Sequence, residues 1–153
     1  MRRGSVLLAD SHSPMLDGIR SLLGERFEVV VMVADVRSLL ETMEKLRPDL
    51  VIVDVSLPRT VGQNVIAMLH DRFRGINVIA LSGFDDRIVT DRSLASGAVA
   101  VVLKSSAVTD LGPALDAIGC GRQYLSPSVR VSSDALLKVT LDSAESSNTQ
   151  RRI

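Results

Sequence analysis

The sequence predicts an α/β fold: a doubly wound, five-stranded parallel sheet with helices on both faces. Three observations carry that expectation. Five short runs rich in Val, Ile or Leu recur along the chain, stretches with helical spacing of apolar residues separate them, and the runs end in polar or charged residues. Runs of that kind are the signature of strands buried on both faces, and their alternation with amphipathic stretches implies crossover connections.

The first run, Val6 to Ala9, precedes a stretch in which Met15, Ile19, Leu22 and Leu23 share one helical face. The second, Val29 to Val33, leads into Leu39, Leu40, Met43 and Leu46 at the same spacing. The third lies in "VIVDVSLP", where Val51, Ile52 and Val53 run without a polar break and then deliver a carboxylate, Asp54. Its helix carries Val65, Ile66 and Leu69. The fourth run, Val78 to Leu81, is followed by the least apolar spacer, Asp85 to Ser96. The fifth, Val99 to Leu103, precedes a helix expected from about Thr109 to Gly119, with Pro113 in its first turn, where a missing N–H costs least.

After Gly121 the character changes. "RQYLSPSVRVSSDALLKVTLDSAESSNTQRRI" holds one short amphipathic stretch, Asp134 to Leu141, and then a polar end expected to be linker or tail.

The chain has 153 residues, enough for one domain with a proper core. Its 18 basic and 18 acidic side chains cancel, so no basic excess points to nucleic-acid binding by these residues. A single cysteine, Cys120, forms no internal disulfide and no multi-cysteine metal site. No stretch of about 18 apolar residues is present to span a bilayer. A cytoplasmic location is expected.

In open parallel sheets, ligands gather outside the carboxyl ends of the strands, where the winding order reverses. With the order 2-1-3-4-5 the reversal falls between the first and third strands, which sets Asp10 beside Asp54. Ser82 and Lys104 follow on the neighbouring strands, and Asp35 ends the second. Two carboxylates placed together raise one another's pKa unless a cation joins them. A divalent metal or a lysine is therefore expected between them. Oxygen ligands with few carboxylates suit Mg²⁺, which completes its shell with waters and phosphate. An aspartate in such a site is itself a nucleophile that forms an aspartyl phosphate.

These residues resemble the receiver domain of two-component response regulators. In "PDLVIVDVSLPRTVG", Pro58 and Gly62 follow Asp54 by four and eight residues, as in that family; Ser82 in "VIALSGFDD" matches its Ser/Thr, and Lys104 in "SGAVAVVLKS" its lysine. "GRQYLSPSV" further resembles the NarL/FixJ subfamily, whose receivers precede a LuxR-type helix-turn-helix domain. The resemblance implies a flavodoxin-like (CheY-like) receiver over residues 1–125 and a linker or tail over 126–153, leading to a helix-turn-helix output domain absent from this chain. It implies Asp54 as phosphoacceptor, Ser82 contacting the phosphoryl group and Lys104 bridging to it. It also implies Mg²⁺ held by Asp10, Asp54 and the backbone carbonyl of Ser56, a sensor histidine kinase as donor, and control of a DNA-binding output. The domain is then a signalling phosphoacceptor that catalyses its own phosphorylation and dephosphorylation. Homodimers are expected through the first and fifth helices, with Leu16, Ile19 and Leu23 against Leu111, Leu115 and Ile118; the same residues suit the core.

Two departures bear on these expectations. Ser11 stands where the family has a second acid at the end of the first strand, which predicts weak Mg²⁺ binding. Val101 stands three residues before Lys104, where many members carry an aromatic. The alternative function is accordingly a phosphorylation-independent receiver acting as a protein-interaction module. A flavin protein or a phosphatase on the same scaffold is the other class. Against the flavin, the chain has three Phe, one Tyr and no Trp, none placed to stack on the ring, and no phosphate-cradling glycine loop.

Plainer roles compete for each residue. Asp54 taken alone is equally a turn-starting or helix-capping acid, and Asp10 a cap for the helix beginning near Pro14, although Ser13 is better placed for that. Ser82 alone is a strand-end serine and Lys104 a solvated lysine. His12 and His70 lack partners at metal-ligand spacing and are expected at the surface.

Overall fold

A computed structural model of the protein describes residues 4–11, 16–57, 64–83, 85–127 and 129. His12, Ser13, Pro14, Pro58, Gly62, Phe84, the stretch Asp134 to Leu141 and the polar end lie outside the described residues. The chain runs β1 (Ser5–Ala9), α1 (Leu16–Arg26), β2 (Val29–Val33), α2 (Val36–Leu46), β3 (Leu50–Asp54), α3 (Val65–Arg72), β4 (Asn77–Ser82), α4 (Arg87–Ala95), β5 (Ala100–Leu103), a 3₁₀ turn (Lys104–Ser106), α5 (Ala107–Gly119) and β6 (Tyr124–Leu125).

All strand pairs are parallel, in the order β2-β1-β3-β4-β5-β6. The five-stranded order expected from the sequence holds, and a sixth strand of two residues extends it. That strand pairs Tyr124 with Ala100 and Leu125 with Val101. Its brevity hid it, because two residues show no periodicity.

Side chains alternate across the sheet with period two. Val6, Leu8, Ile52, Ile79, Leu81 and Val102 pack with Ile19 and Leu23 of α1 and Leu111 and Ala114 of α5. Leu7, Ala9, Val51, Val53, Val78 and Ala80 pack on the other face with Leu39 and Met43 of α2 and Ile66 and Leu69 of α3. Both faces of β3 are buried along its whole length, as its unbroken apolar run requires. β2 is an edge strand and its residues are only partly covered.

This packing corrects part of the expected dimer surface. Ile19, Leu23 and Leu111 are fully buried in the core, because their helices turn those residues onto the sheet, while Leu115 and Ile118 are half-buried against the same cluster. Among the described residues, Val108 of α5 is an exposed apolar side chain on this face.

The fifth helix also departs from expectation. It begins at Ala107, directly after the 3₁₀ turn, so Pro113 is its seventh residue and lies in the interior. The 3₁₀ turn continues straight into the helix, which moves the start two residues earlier than Thr109. His70 lies at the surface as expected, with its ring against Gly97: a Cβ built there would come within 2.8 Å of the ring, and φ at Gly97 is +114°. Only glycine suits that turn. Cys120 is exposed and free. Among the described residues no helix is long and apolar enough to cross a membrane.

Candidate functional site

Parallel register assembles the site. Ala9 of β1 stands opposite Val53 of β3, so the next residues, Asp10 and Asp54, emerge side by side at the carboxyl ends of the two strands. Ser82 ends β4, and its partner Leu103 on β5 is followed at once by Lys104. Four residues from four strand ends thus converge, and all four are buried.

Lys104 joins the two acids. Its Nζ lies 2.5 Å from Asp54 Oδ2 and 3.1 Å from Asp10 Oδ2. The other oxygen of Asp54, Oδ1, accepts from Ser56 N at 2.9 Å and from Ser56 Oγ at 2.7 Å. The backbone turns there too, with Leu57 N donating to Asp54 O at 3.0 Å. An aspartate bonding the amide two residues on is a common way to start a turn. Asp54 therefore does start a turn, as its plainer role requires, and at the same time faces a buried ammonium.

Burial by itself pushes the Asp54 carboxyl up, but the hydrogen bonds from Lys104 and Ser56 together outweigh it and hold the group below the usual carboxylate range. The acid is ionised wherever the protein is folded at neutral pH. A buried ion pair of this kind is weak evidence for stability, since desolvation offsets the Coulomb gain. Its presence at the sheet's winding reversal points to chemistry.

Among the described residues, two carboxyl groups and one lysine meet here. That donor set fits Mg²⁺, a hard cation that takes one or two carboxylates and keeps several waters. Among the described residues no group of three or more His, Cys, Asp or Glu side chains gathers to hold a metal without other help. Ser11, which follows Asp10, is half-buried.

Asp35 does not join the site. It caps α2, accepting from Ser38 N at 2.7 Å, and that bond holds its carboxyl below the usual range. Val101 is fully buried in β5. A second polar cluster escaped sequence reasoning. Asp110 of α5 is buried and its Oδ2 accepts from Ser106 Oγ and from Ser126 Oγ, each at 2.7 Å. The four-residue spacing of Ser106 and Asp110 was the one signal available; nothing in the sequence pointed to Ser126.

Comparison with known proteins agrees with this fold. The profile of the response regulator receiver domain matches residues 6–116. The transcriptional regulatory protein RcsB of Escherichia coli (strain K12) is 30% identical over 135 residues, covering 84% of this chain and 62% of that protein. DegU of Brevibacillus brevis, also a transcriptional regulatory protein, is 28% identical over 126 residues, covering 81% and 53%. The chain thus spans little more than half the length of such relatives. Among solved structures, the isolated REC domain of RcsB from Salmonella enterica serovar Typhimurium with the phosphomimetic BeF3⁻ is similar at a TM-score of 0.73 and 28% identity, covering 84% of this chain and 96% of that one.

Proposed function

The chain belongs to the response regulator receiver domain family, and on that premise we propose that Asp54 accepts a phosphoryl group from a sensor histidine kinase or a small phosphodonor. What carries this reading is the buried Asp54 carboxylate, held by Ser56 on one oxygen and by Lys104 on the other. In the step, a carboxylate lone pair forms the new bond to phosphorus, and the donor's bond to phosphorus breaks with its electron pair leaving on the donor. The leaving atom is an imidazole nitrogen for phosphohistidine and an acetate oxygen for acetyl phosphate. An acid held ionised needs no general base to act as nucleophile.

Lys104, whose ammonium reaches Asp10 and Asp54, neutralises charge on the phosphoryl oxygens in this reading, and Ser82 at the adjoining strand end donates its hydroxyl to them. Asp10, Asp54 and the backbone carbonyl of Ser56 would hold Mg²⁺, which when bound draws charge from the phosphoryl oxygens. Ser11 weakens that hold. Hydrolysis of the aspartyl phosphate by water returns the domain to its starting state.

Phosphorylation adds only about one negative charge to an acid that is already ionised, so the output needs a bistable element to amplify it. We place that output in transcription control, by analogy with relatives named as transcriptional regulators and with RcsB, whose dimers have been seen on DNA. Residues 126–153 would be the linker to a DNA-binding output domain. Pairing of two copies through α1 and α5 would use Val108 together with the half-buried Leu115 and Ile118.

Incubation with Mg²⁺ and acetyl phosphate, read by intact mass, tests the central claim. One phosphoryl adduct on the native chain and none on Asp54→Asn is the expected result. No adduct across a wide Mg²⁺ range overturns it.

A further inference from the structure

We propose that Asp110 is a positioning residue that ties the Lys104 turn to the chain segment beginning at Ser126, so that the state of Asp54 and the docking of that segment are coupled. This coupling rests on the reading of Asp54 as the phosphoacceptor and names the connection between that site and the segment after β6.

The connection is a relay of buried hydrogen bonds. Leu103 N donates to Ser126 Oγ at 2.9 Å, and the Ser126 hydroxyl donates to Asp110 Oδ2 at 2.7 Å. Because the Leu103 amide already supplies a proton to Ser126 Oγ, the hydroxyl's own proton points at the carboxylate. Ser106 Oγ donates to the same oxygen at 2.7 Å. Ser126 is fully buried and Asp110 nearly so.

Leu103 and Ser106 bracket Lys104. The residue whose ammonium joins Asp10 and Asp54 therefore belongs to a turn whose two ends are both fastened to Asp110, one through Ser126 and one directly. A buried carboxylate that loses a donor bears a desolvation cost with nothing in return, so the two serines hold their places together. When Lys104 moves with the oxygens of a phosphoryl group, the turn adjusts, and the relay carries the adjustment to Ser126.

Ser126 stands where the chain leaves the sheet. Its amide also donates to Val101 O at 2.9 Å, and Val129 beyond it is fully buried. Ser126 and Val129 are thus packed onto the domain, Ser126 through atoms bonded to both ends of the Lys104 turn's anchor. Val101 supplies no ring that could carry the signal by a rotamer change. Coupling of two sites is reciprocal, so a segment drawn away from Ser126 also alters the affinity of the site for its phosphoryl group.

Hydrogen exchange of the Leu103 and Ser126 amides, measured by NMR on the full chain, tests the relay, with the Leu7 and Ile52 amides as reporters of global opening. In the native chain, the adduct on Asp54 changes exchange at Leu103 and Ser126 by about fivefold or more. In Asp110→Asn and in Ser126→Ala the adduct still forms, and the change shrinks to within error. Unchanged exchange in the fully phosphorylated native chain overturns the coupling, as does a change that survives both substitutions. Lys104→Met perturbs the turn without phosphoryl chemistry. Faster exchange at Leu103 and Ser126 alone supports the relay even where no adduct forms, and unchanged exchange overturns it. Absence of the adduct in the native chain counts against Asp54 as acceptor instead.

Discussion

Lys104 Nζ sits 2.5 Å from Asp54 Oδ2, across 50 residues of sequence, and the same ammonium is 3.1 Å from Asp10 Oδ2. One cation therefore closes the gap between the tips of two parallel strands. Without it, two buried carboxylates would face each other at the point where the sheet reverses its winding.

Replacing that cation should change both the acidity and the reactivity of Asp54. In Lys104→Met the largest hydrogen bond lowering the Asp54 pKa is gone while burial remains, so its titration moves upward. Carboxyl NMR titration of the two proteins reads the shift. The rate of adduct formation with acetyl phosphate should fall about 100-fold, as when one charge-stabilising donor is removed. A titration that stays put would mean that Ser56 alone holds the acid ionised.

The lowered pKa of Asp54 has a pH signature. A group whose folded pKa is depressed contributes stability that is present above its unfolded pKa and lost as pH falls through the folded one. Urea unfolding of the native chain and of Asp54→Asn should therefore differ by a constant amount above about pH 5, and the difference should shrink as pH falls below the ordinary carboxylate pKa of about 4 toward the lowered folded one. A difference that grows on acidification contradicts the assigned direction.

Ser11→Asp should restore a charged ligand beside Asp10. The Mg²⁺ concentration giving half-maximal adduct formation should fall by about tenfold or more, at least the size of effect seen when a supporting group of a metal site is changed. In EDTA the same substitution should lower stability, since a third carboxylate then crowds the first two. An unchanged Mg²⁺ midpoint would remove Ser11 from the metal site.

Pro113→Ala should stabilise the protein. A proline inside a helix forfeits one hydrogen bond and crowds the preceding turn, at a cost of about 3 kcal/mol, part of which is returned by the stiffer unfolded chain. A net gain of about 1 to 2 kcal/mol is expected from urea unfolding. A neutral or destabilising result would mean that the helix has adapted around the ring.

Leu111→Ala should cost about 2 to 5 kcal/mol, the usual range for emptying a buried leucine site. The same substitution at Leu115, half-buried on the same helix, should cost clearly less. Equal losses would place Leu115 in the core and take it out of the proposed pairing surface.

The layered parallel fold and most of the candidate site were legible in the residues alone. Val51 to Val53 announce a strand buried on both faces because apolar runs report local burial, and the strand order then leaves Asp10, Asp54, Ser82 and Lys104 no place but one end of the sheet. The rest depended on how the elements pack. Which face of α1 meets the sheet put Ile19 and Leu23 in the core, and the continuation of the 3₁₀ turn into α5 put Pro113 inside a helix. The pairing of Tyr124 and Leu125 with β5 brought Ser126 to Asp110, 16 residues away. Propensity and periodicity are properties of neighbouring residues. A hydrogen bond between a serine and a carboxylate on different elements depends on register and packing, which exist only once the chain has closed on itself.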